Sequence, residues 1–151
     1  MKLEIDKTKA KELYPDAPVW LKEQLEEAFG EGCFHKIEFT DIKTFEDACK
    51  VTEEDPNDPR FSTGTADDIA YQKAKVITRA INIDWTPDWN NSNQKKWWPW
   101  FRLSSGFGFD NSIFINTATY SAVGSRLCFE SKEKSDYAAQ QFTPIYKDLL
   151  T

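Results

Sequence analysis

The stretch from residue 65 to residue 101, TADDIAYQKAKVITRAINIDWTPDWNNSNQKKWWPWF, changes its hydrophobic period part-way along and thereby decides the fold class. Thr65 precedes two acids, as is typical of a helix start, and apolar residues then recur at helical spacing as far as Ile81. From Lys96 the helical period is lost and the pattern becomes strand-like. We therefore predict an amphipathic helix near 67–82 that packs on a sheet.

The residues after this stretch indicate two or three antiparallel strands between about 96 and 129. Residues 112–120 and 123–129 are rich in β-branched and aromatic side chains and are joined by a short link. Pro99 cannot donate to a strand ladder, so the first strand is predicted to lie at an edge. A sheet of this kind needs helices to cover it.

A final helix is predicted over about 132–150, where apolar residues again share one face. Pro144 removes one hydrogen bond inside that helix, so we expect a kink or a break near Gln140. With this helix the sequence predicts an α+β fold: a small antiparallel sheet at about 96–129, packed by helices.

The sequence pattern predicts helices in the N-terminal part of the chain. A helix is predicted from Pro18 to Gly30, and Thr44 with Asp47 has the form of a capping box that opens a second one. Residues 51–64, with two prolines and several acids, are expected to form a flexible loop. The length of 151 residues suits one domain spanning 1–151.

Composition excludes several classes of protein. The net charge of −6 gives no long-range attraction to a duplex. The first twenty residues lack the apolar region of a signal peptide, and no apolar run is long enough to span a membrane. Three cysteines without a CxxC spacing are expected to be reduced, so the fold should need neither a disulfide nor a metal.

Material for catalysis is sparse. The single histidine, His35, follows Cys33 by two residues, and on a strand the two side chains would share a face, but ordinary packing is the simpler interpretation. The acids at 53–58 lack the glycine and terminal glutamate of a calcium loop and are interpreted as solvated. Gly106 and Gly108 are interpreted as turn residues, since no helix follows them as a dinucleotide site requires. We expect no enzyme activity, no metal and no cofactor.

Five stretches of the chain, taken together and in order, resemble a family of small hypothetical proteins common in phages and prophages of anaerobic gut bacteria. They are LEEAFG, IKTFEDAC, AYQKAKVITRAINIDWTPDWNNSNQKKWWPWF, SGFGF and VGSRLCFESKEKSDYAAQQFTPIYKDLL. The similarity covers nearly the whole chain after about Leu13. It implies synthesis in a bacterial host cytoplasm and a role as a virion accessory or a host-factor binder, an inference by association. No functional residue is carried over by it.

The tryptophan-rich stretch offers the best candidate surface. Trp85 and Trp89 follow the buried helical stripe and are predicted to lie in the core. On the strand, Trp98 and Trp100 should point one way and Trp97 and Phe101 the other, so one pair covers the core and the other is left over.

We expect the exposed pair to be Trp98 and Trp100, next to amides and cations that suit stacking and hydrogen bonding. The alternative is that the helix predicted at 132–150 covers this face too. Arg126, beside a glycine and a serine, could hold an anion, although a bulge with a structural arginine is the simpler reading. The predicted binding residues are Gln94, Lys96, Trp98, Trp100, Arg102 and Arg126.

The leading prediction is a non-catalytic accessory protein that acts through protein contacts, with itself, the virion or a host factor. The alternative is a protein that binds a small ligand, a nucleotide or single-stranded nucleic acid through residues 84–102. A nucleotide binder would need a concave site with a basic or amide floor, whereas a protein binder would need an aromatic surface without a deep pocket.

Overall fold

The chain is α+β, as predicted. In the computed structural model the described residues are 4–104, 106–115 and 125–151. Over these ranges the chain forms six α-helices and a two-stranded antiparallel sheet. It divides into two compact units, the first ending at Glu38 and the second running from Phe39 to Thr151. The expectation of one domain over 1–151 stays a prediction.

The first unit is built from two helices, α1 (Lys7–Leu13) and α2 (Val19–Phe29). Helix α1 begins where the Asp6 carboxylate accepts a hydrogen bond of 2.8 Å from the backbone N–H of Lys9. Helix α2 ends at Gly30, whose φ of 87° is open to glycine and strained for other residues. The predicted helix from Pro18 to Gly30 and the helical N-terminal part are thereby confirmed.

The second unit opens with helices α3 (Phe45–Thr52) and α4 (Ala66–Asn82). The predicted capping box of α3 is present, because the Asp47 N–H donates to Thr44 Oγ1 and the Thr44 N–H donates to the Asp47 carboxylate, both at 3.1 Å. Helix α4 is the long helix predicted near 67–82.

The C-terminal helix is broken, as predicted. Helix α5 spans Lys132–Gln141 and helix α6 spans Thr143–Leu150, with Phe142 between them. Pro144 lies in the first turn of α6, where its missing N–H has no intrahelical partner to lose.

The core of the second unit surrounds α4. Its side chains pack against those of α3, α5 and α6, and Phe61 and Phe129 complete the cluster. Helix α4 therefore packs mainly on other helices rather than on the sheet as predicted, and α5 packs on the sheet instead. The most deeply buried apolar members are Ile42, Ala48, Cys49, Val76, Ile77, Ala80, Ile81, Phe129 and Ala138. Phe61 belongs to the segment 51–64 that was predicted to be a flexible loop. It is only 4 % exposed, so that part of the prediction is wrong.

Strands β1 (Lys96–Arg102) and β2 (Gly108–Ile115) form the sheet, with a register irregularity between Trp100 and Phe101. On its other edge β1 makes one bridge to the residues that the structure describes, in which Trp97 and Phe129 exchange backbone hydrogen bonds of 3.0 and 2.8 Å. Backbone N–H direction alternates along a strand, so the Pro99 nitrogen also lies on this sparsely paired edge, in agreement with the prediction.

Two strand predictions need correction. The second strand begins at Gly108 rather than at 112, so Gly108 is a strand residue paired with Arg102, and only Gly106 has the predicted positive φ, 97°. The described part of the predicted strand 123–129 is a 3₁₀ turn over Ser125–Leu127, followed by the bridge at Phe129. The predicted positions from 116 to 124 lie outside the described residues.

Candidate functional site

A cavity of about 570 Å³ lies along one face of α4, inside the second unit. Its charged lining consists of four cationic side chains and one carboxylate, a formal charge of +3 in a chain whose net charge is −6. The lining residues are Glu54, Arg60, Gln72, Lys75, Val76, Arg79, Thr86, Pro87, Trp89 and Arg126.

Helix α4 supplies the floor. Gln72, Lys75, Val76 and Arg79 are spaced i, i+3, i+4 and i+7, so they lie on one helical face over a length of about 10 Å. Val76 is buried, whereas Arg79 is exposed. This polar edge runs beside the apolar stripe that packs on the core.

One side of the cavity is an ion-pair triad of Glu54 with Arg60 and Arg79. Each carboxylate oxygen of Glu54 contacts a different guanidinium, and the Glu54 side chain is only 14 % exposed. The Glu54 backbone is fixed because its N–H donates to the Cys49 carbonyl at 2.9 Å, just beyond α3. The prediction of a solvated acidic loop is therefore wrong for Glu54, whose charge is matched by two arginines.

Arg60 is held in place by its neighbours in the chain. Its backbone N–H donates to the Asp58 carboxylate at 3.0 Å, and its guanidinium carbon lies 4.5 Å from the centroid of the Phe61 ring. A cation over a buried aromatic ring is attracted by the ring face. The guanidinium of Arg60 is thus oriented on two sides before any ligand arrives.

Lys75 and Arg126 have no carboxylate partner among the described residues. The Lys75 ammonium lies 4.9 Å from the centroid of the Tyr71 ring. Burial lowers the pKa of Lys75, and the nearby guanidiniums of Arg126, Arg60 and Arg79 lower it further. The cavity therefore gathers positive charge that its own acids do not neutralise.

Arg126 reaches the cavity from the 3₁₀ turn Ser125–Leu127, which is tied to the end of α4 by Asn82. The Asn82 amide donates to the Cys128 carbonyl at 2.9 Å and accepts from the Glu130 N–H at 3.1 Å. Asn82 is 4 % exposed, and its hydrogen bond to the Cys128 carbonyl is shielded from water.

The remaining wall is the segment that follows α4 and contains Thr86, Pro87 and Trp89. The chain turns at Ile83, whose φ of 60° is unusual for a β-branched residue. The Asp88 N–H then donates to the Gln94 side-chain oxygen at 2.7 Å, which closes a turn over 88–94.

This folded-back segment covers part of the strand face that was predicted to be exposed. The Trp89 ring packs at 6.4 Å on the Trp98 ring, and the Lys96 ammonium donates to the Asn91 carbonyl at 3.0 Å. Lys96 is fully buried and lies 5.3 Å from the centroid of the Trp89 ring. The expectation of an open platform at Lys96 and Trp98 is wrong for this reason.

The other predicted binding residues differ in their exposure. Trp100 is 54 % exposed and Arg102 is exposed, whereas the side-chain oxygen of Gln94 is engaged in the 88–94 turn. Arg126 is exposed and lines the cavity. The structure therefore brings only Arg126 of the predicted binding residues into the cavity lining.

The burial of the tryptophans was predicted correctly for only some of them. Trp97 and Phe101 pack against the core, as predicted. Trp85 and Trp89 are only partly buried and do not belong to the core cluster, because the turn at Ile83 directs the chain away from it. Sequence reasoning missed Arg60, Lys75 and Arg79, although a basic stripe at helical spacing on α4 was visible.

His35 and Cys33 do not lie on a strand. Cys33 ends the 3₁₀ turn Glu31–Cys33, and His35 Nε2 lies 3.9 Å from a carboxylate oxygen of Glu26 and of Glu31. Neither residue lies in a strand, so the two side chains do not share the strand face that a Cys33–His35 pair would need.

The other thiols, Cys49 and Cys128, are buried, and burial raises the pKa of Cys49 and raises that of Cys128 to about 11. A thiol with a raised pKa is a poor nucleophile at neutral pH.

Within residues 4–104, 106–115 and 125–151, no three or more histidine, cysteine or acidic side chains are grouped to hold a metal ion. None of the helices there combines the length and apolar character that a bilayer crossing requires. No protein-family model, no curated protein and no solved structure matches the chain.

Proposed function

We propose that the protein is a non-catalytic binding protein whose cavity along α4 holds a small ligand with a phosphate group. The observation that carries the proposal is the meeting of four cationic side chains with a single carboxylate in one concave site. Like charges held together in a partly desolvated place destabilise each other unless an anion offsets them. An anionic ligand would supply that offset.

Two of the four cations are paired with Glu54 and two are not, and this arrangement supports a phosphate as the anion. Glu54 holds Arg60 and Arg79 in place, which leaves Lys75 and Arg126 to meet the ligand directly. A guanidinium offers a planar fork of donors that matches phosphate oxygens, and an ammonium adds a compact point charge. A phosphomonoester carries close to two negative charges at neutral pH, which is within the excess that the cavity carries.

The lining favours binding over turnover. Guanidinium groups stay protonated and transfer no proton, and the one carboxylate of the site, on Glu54, is occupied by two of them. The other titratable side chain of the lining is Lys75, and in this proposal the anion that it meets holds its ammonium in the charged form.

Isothermal titration calorimetry of the full chain with inorganic phosphate and with phenyl phosphate tests the site. We expect saturable binding of both, and Lys75→Gln or Arg126→Gln should weaken it at least tenfold, because each removes a charge that directly meets the anion. Arg102→Gln is the matched control, since Arg102 is exposed on β1 and lies outside the cavity. Absence of binding, or an equal loss in the Arg102 variant, would refute the proposal.

The biological setting that we propose rests on the resemblance to phage and prophage proteins of anaerobic gut bacteria. In that setting the protein acts in the host cytoplasm or in the virion as an accessory that binds a phosphorylated compound. Native mass spectrometry of the protein from its producing cells should show a retained mass of a few hundred daltons. If the protein purified from those cells showed the mass of the bare chain and no retained ligand, the result would count against this setting.

A second candidate function is protein contact through the exposed end of β1. Trp100 is 54 % exposed and Leu103 is 58 % exposed, and exposed tryptophans are frequent anchors of interfaces. We expect concentration-dependent self-association in sedimentation velocity, which Trp100→Ser removes. A monomer at all concentrations would contradict this candidate and leave the cavity proposal untouched.

A further inference from the structure

The cavity is larger and more varied than a phosphate group alone needs. Its volume of about 570 Å³ lies within the range of pockets that hold whole small ligands, roughly 300–1,000 Å³. The floor residues from Gln72 to Arg79 extend over about 10 Å of helix α4. A phosphate that meets Lys75 and Arg126 fills only part of this volume, so the cavity has room for another part of the same ligand.

The chemistry of that remaining part is aromatic and amide-like. Trp89, Pro87 and Val76 offer apolar surface, while the Gln72 amide and the Thr86 hydroxyl offer donors and acceptors. A flat ring with hydrogen-bonding edges matches this mixture, because its face can cover the indole while its edges meet the amide and the hydroxyl.

The Trp89 ring is held in position by its neighbours before any ligand stacks on it. Its ring is held by the tilted Trp98 ring at 6.4 Å and by the ammonium of the buried Lys96 at 5.3 Å, yet the residue is only partly buried and lines the cavity. A side chain that is already held loses little conformational entropy when a ligand stacks on it. Stacking of a base on an aromatic side chain is a general source of nucleotide affinity.

Resting on the proposed anion site, we propose that its ligand is a mononucleotide, with the phosphate at Lys75 and Arg126 and the base against Trp89. A nucleotide joins the two chemistries that the lining offers, a phosphate and a flat ring with polar edges. A longer single strand fits less well, because the chain is acidic overall and the four cations of the site lie together in one cavity.

Calorimetric titrations of the full chain with AMP, GMP, CMP, UMP, their nucleosides and inorganic phosphate test the inference. We expect at least one nucleotide to bind tenfold or more tightly than both its nucleoside and phosphate. Trp89→Leu should reduce its affinity about tenfold and leave phosphate affinity unchanged, whereas the matched Trp100→Leu should change neither. Trp89→Phe is the second variant, with an intermediate loss expected, should Trp89→Leu fail to fold.

The remaining outcomes separate the two proposals. Phosphate that binds as tightly as every nucleotide would overturn the nucleotide inference and keep the anion site. Binding that grows with the length of an oligothymidylate would overturn it in favour of a single strand. No binding of any of these compounds would overturn both proposals.

Discussion

The side-chain amide of Asn82 donates a hydrogen bond of 2.9 Å to the backbone carbonyl of Cys128, 46 positions further along the chain. The same side chain accepts from the Glu130 N–H, so its two ends clamp one short segment to the end of α4. Arg126 lies two residues before that clamp. The position of a cavity cation therefore depends on a buried amide that does not line the cavity.

Asn82→Ala should lower the free energy of unfolding by roughly 1–3 kcal/mol, because it removes the hydrogen bonds that the buried Asn82 side chain makes with the Cys128 carbonyl and the Glu130 N–H. It should also weaken phosphate binding, because the turn that carries Arg126 is released. Urea unfolding and calorimetry measure the two effects. Asn93→Ala, at an exposed position, is the control and should stay within about 0.5 kcal/mol of the parent. Full stability in the Asn82 variant would show that the clamp contributes nothing.

Ile83→Gly should raise the free energy of unfolding by about 1 kcal/mol. Ile83 has φ 60° and ψ −105°, where a β-branched residue is strained and glycine is not, and its side chain is already 38 % exposed. Ile83→Val keeps the branch at Cβ and should bring no gain. Thermal unfolding of both variants is the measurement, and a loss of stability in the glycine variant would mean that the turn is not strained.

Tyr146 and Tyr137 form a matched pair for hydroxyl removal. The buried Tyr146 hydroxyl has only a weak interaction with the Thr78 side chain and makes no hydrogen bond of good geometry with the described residues, whereas the Tyr137 hydroxyl donates to the carbonyls of Ile42 at 2.9 Å and Thr40 at 3.0 Å. We expect Tyr146→Phe to leave stability unchanged or raise it by up to about 1 kcal/mol, and Tyr137→Phe to lower it by about 1 kcal/mol. Urea unfolding that gave both variants the same sign would contradict this.

Stability should fall in alkali partly because of Cys128. Burial raises the pKa of this thiol from 9.0 to about 11 in the folded protein. Between these pH values the unfolded chain releases the proton and the folded chain keeps it, so the stabilisation is complete below pH 9 and is lost as pH rises through about 11.

Urea unfolding at pH 8, 9, 10 and 11 measures this loss, and Cys128→Ala should reduce the slope. The remaining slope is expected from Tyr14, Tyr137 and Tyr146, whose pKa values are also raised. An identical slope in the alanine variant would show that Cys128 does not titrate in this way.

Local patterns predicted local structure well. The capping pair Thr44 and Asp47, the end of α2 at Gly30 and the break before Pro144 are each decided by residues within a few positions, so the sequence displays them directly. The inward face of Trp97 and Phe101 followed from strand alternation. These features can be predicted without knowing which elements pack on each other.

The cavity could not be predicted in this way. The contact of Glu54 with Arg79 spans 25 positions and depends on how α3 packs on α4. Lys96 was predicted to be exposed because strand alternation placed it with Trp98, but the 88–94 turn folds back over both. Which segment covers a given face is decided by tertiary packing, which the periodicity of either segment alone does not contain.

The separation of charge between the cavity and the rest of the chain has a kinetic consequence. An anion approaching the protein first meets the field of an acidic molecule and is repelled, and only within a few ångströms does the local excess of cations attract it. Added salt screens the distant repulsion, so it should speed the entry of an anion even as it weakens the final complex. Association and dissociation rates would then both rise with ionic strength, the opposite of the slowed capture expected for a uniformly basic protein.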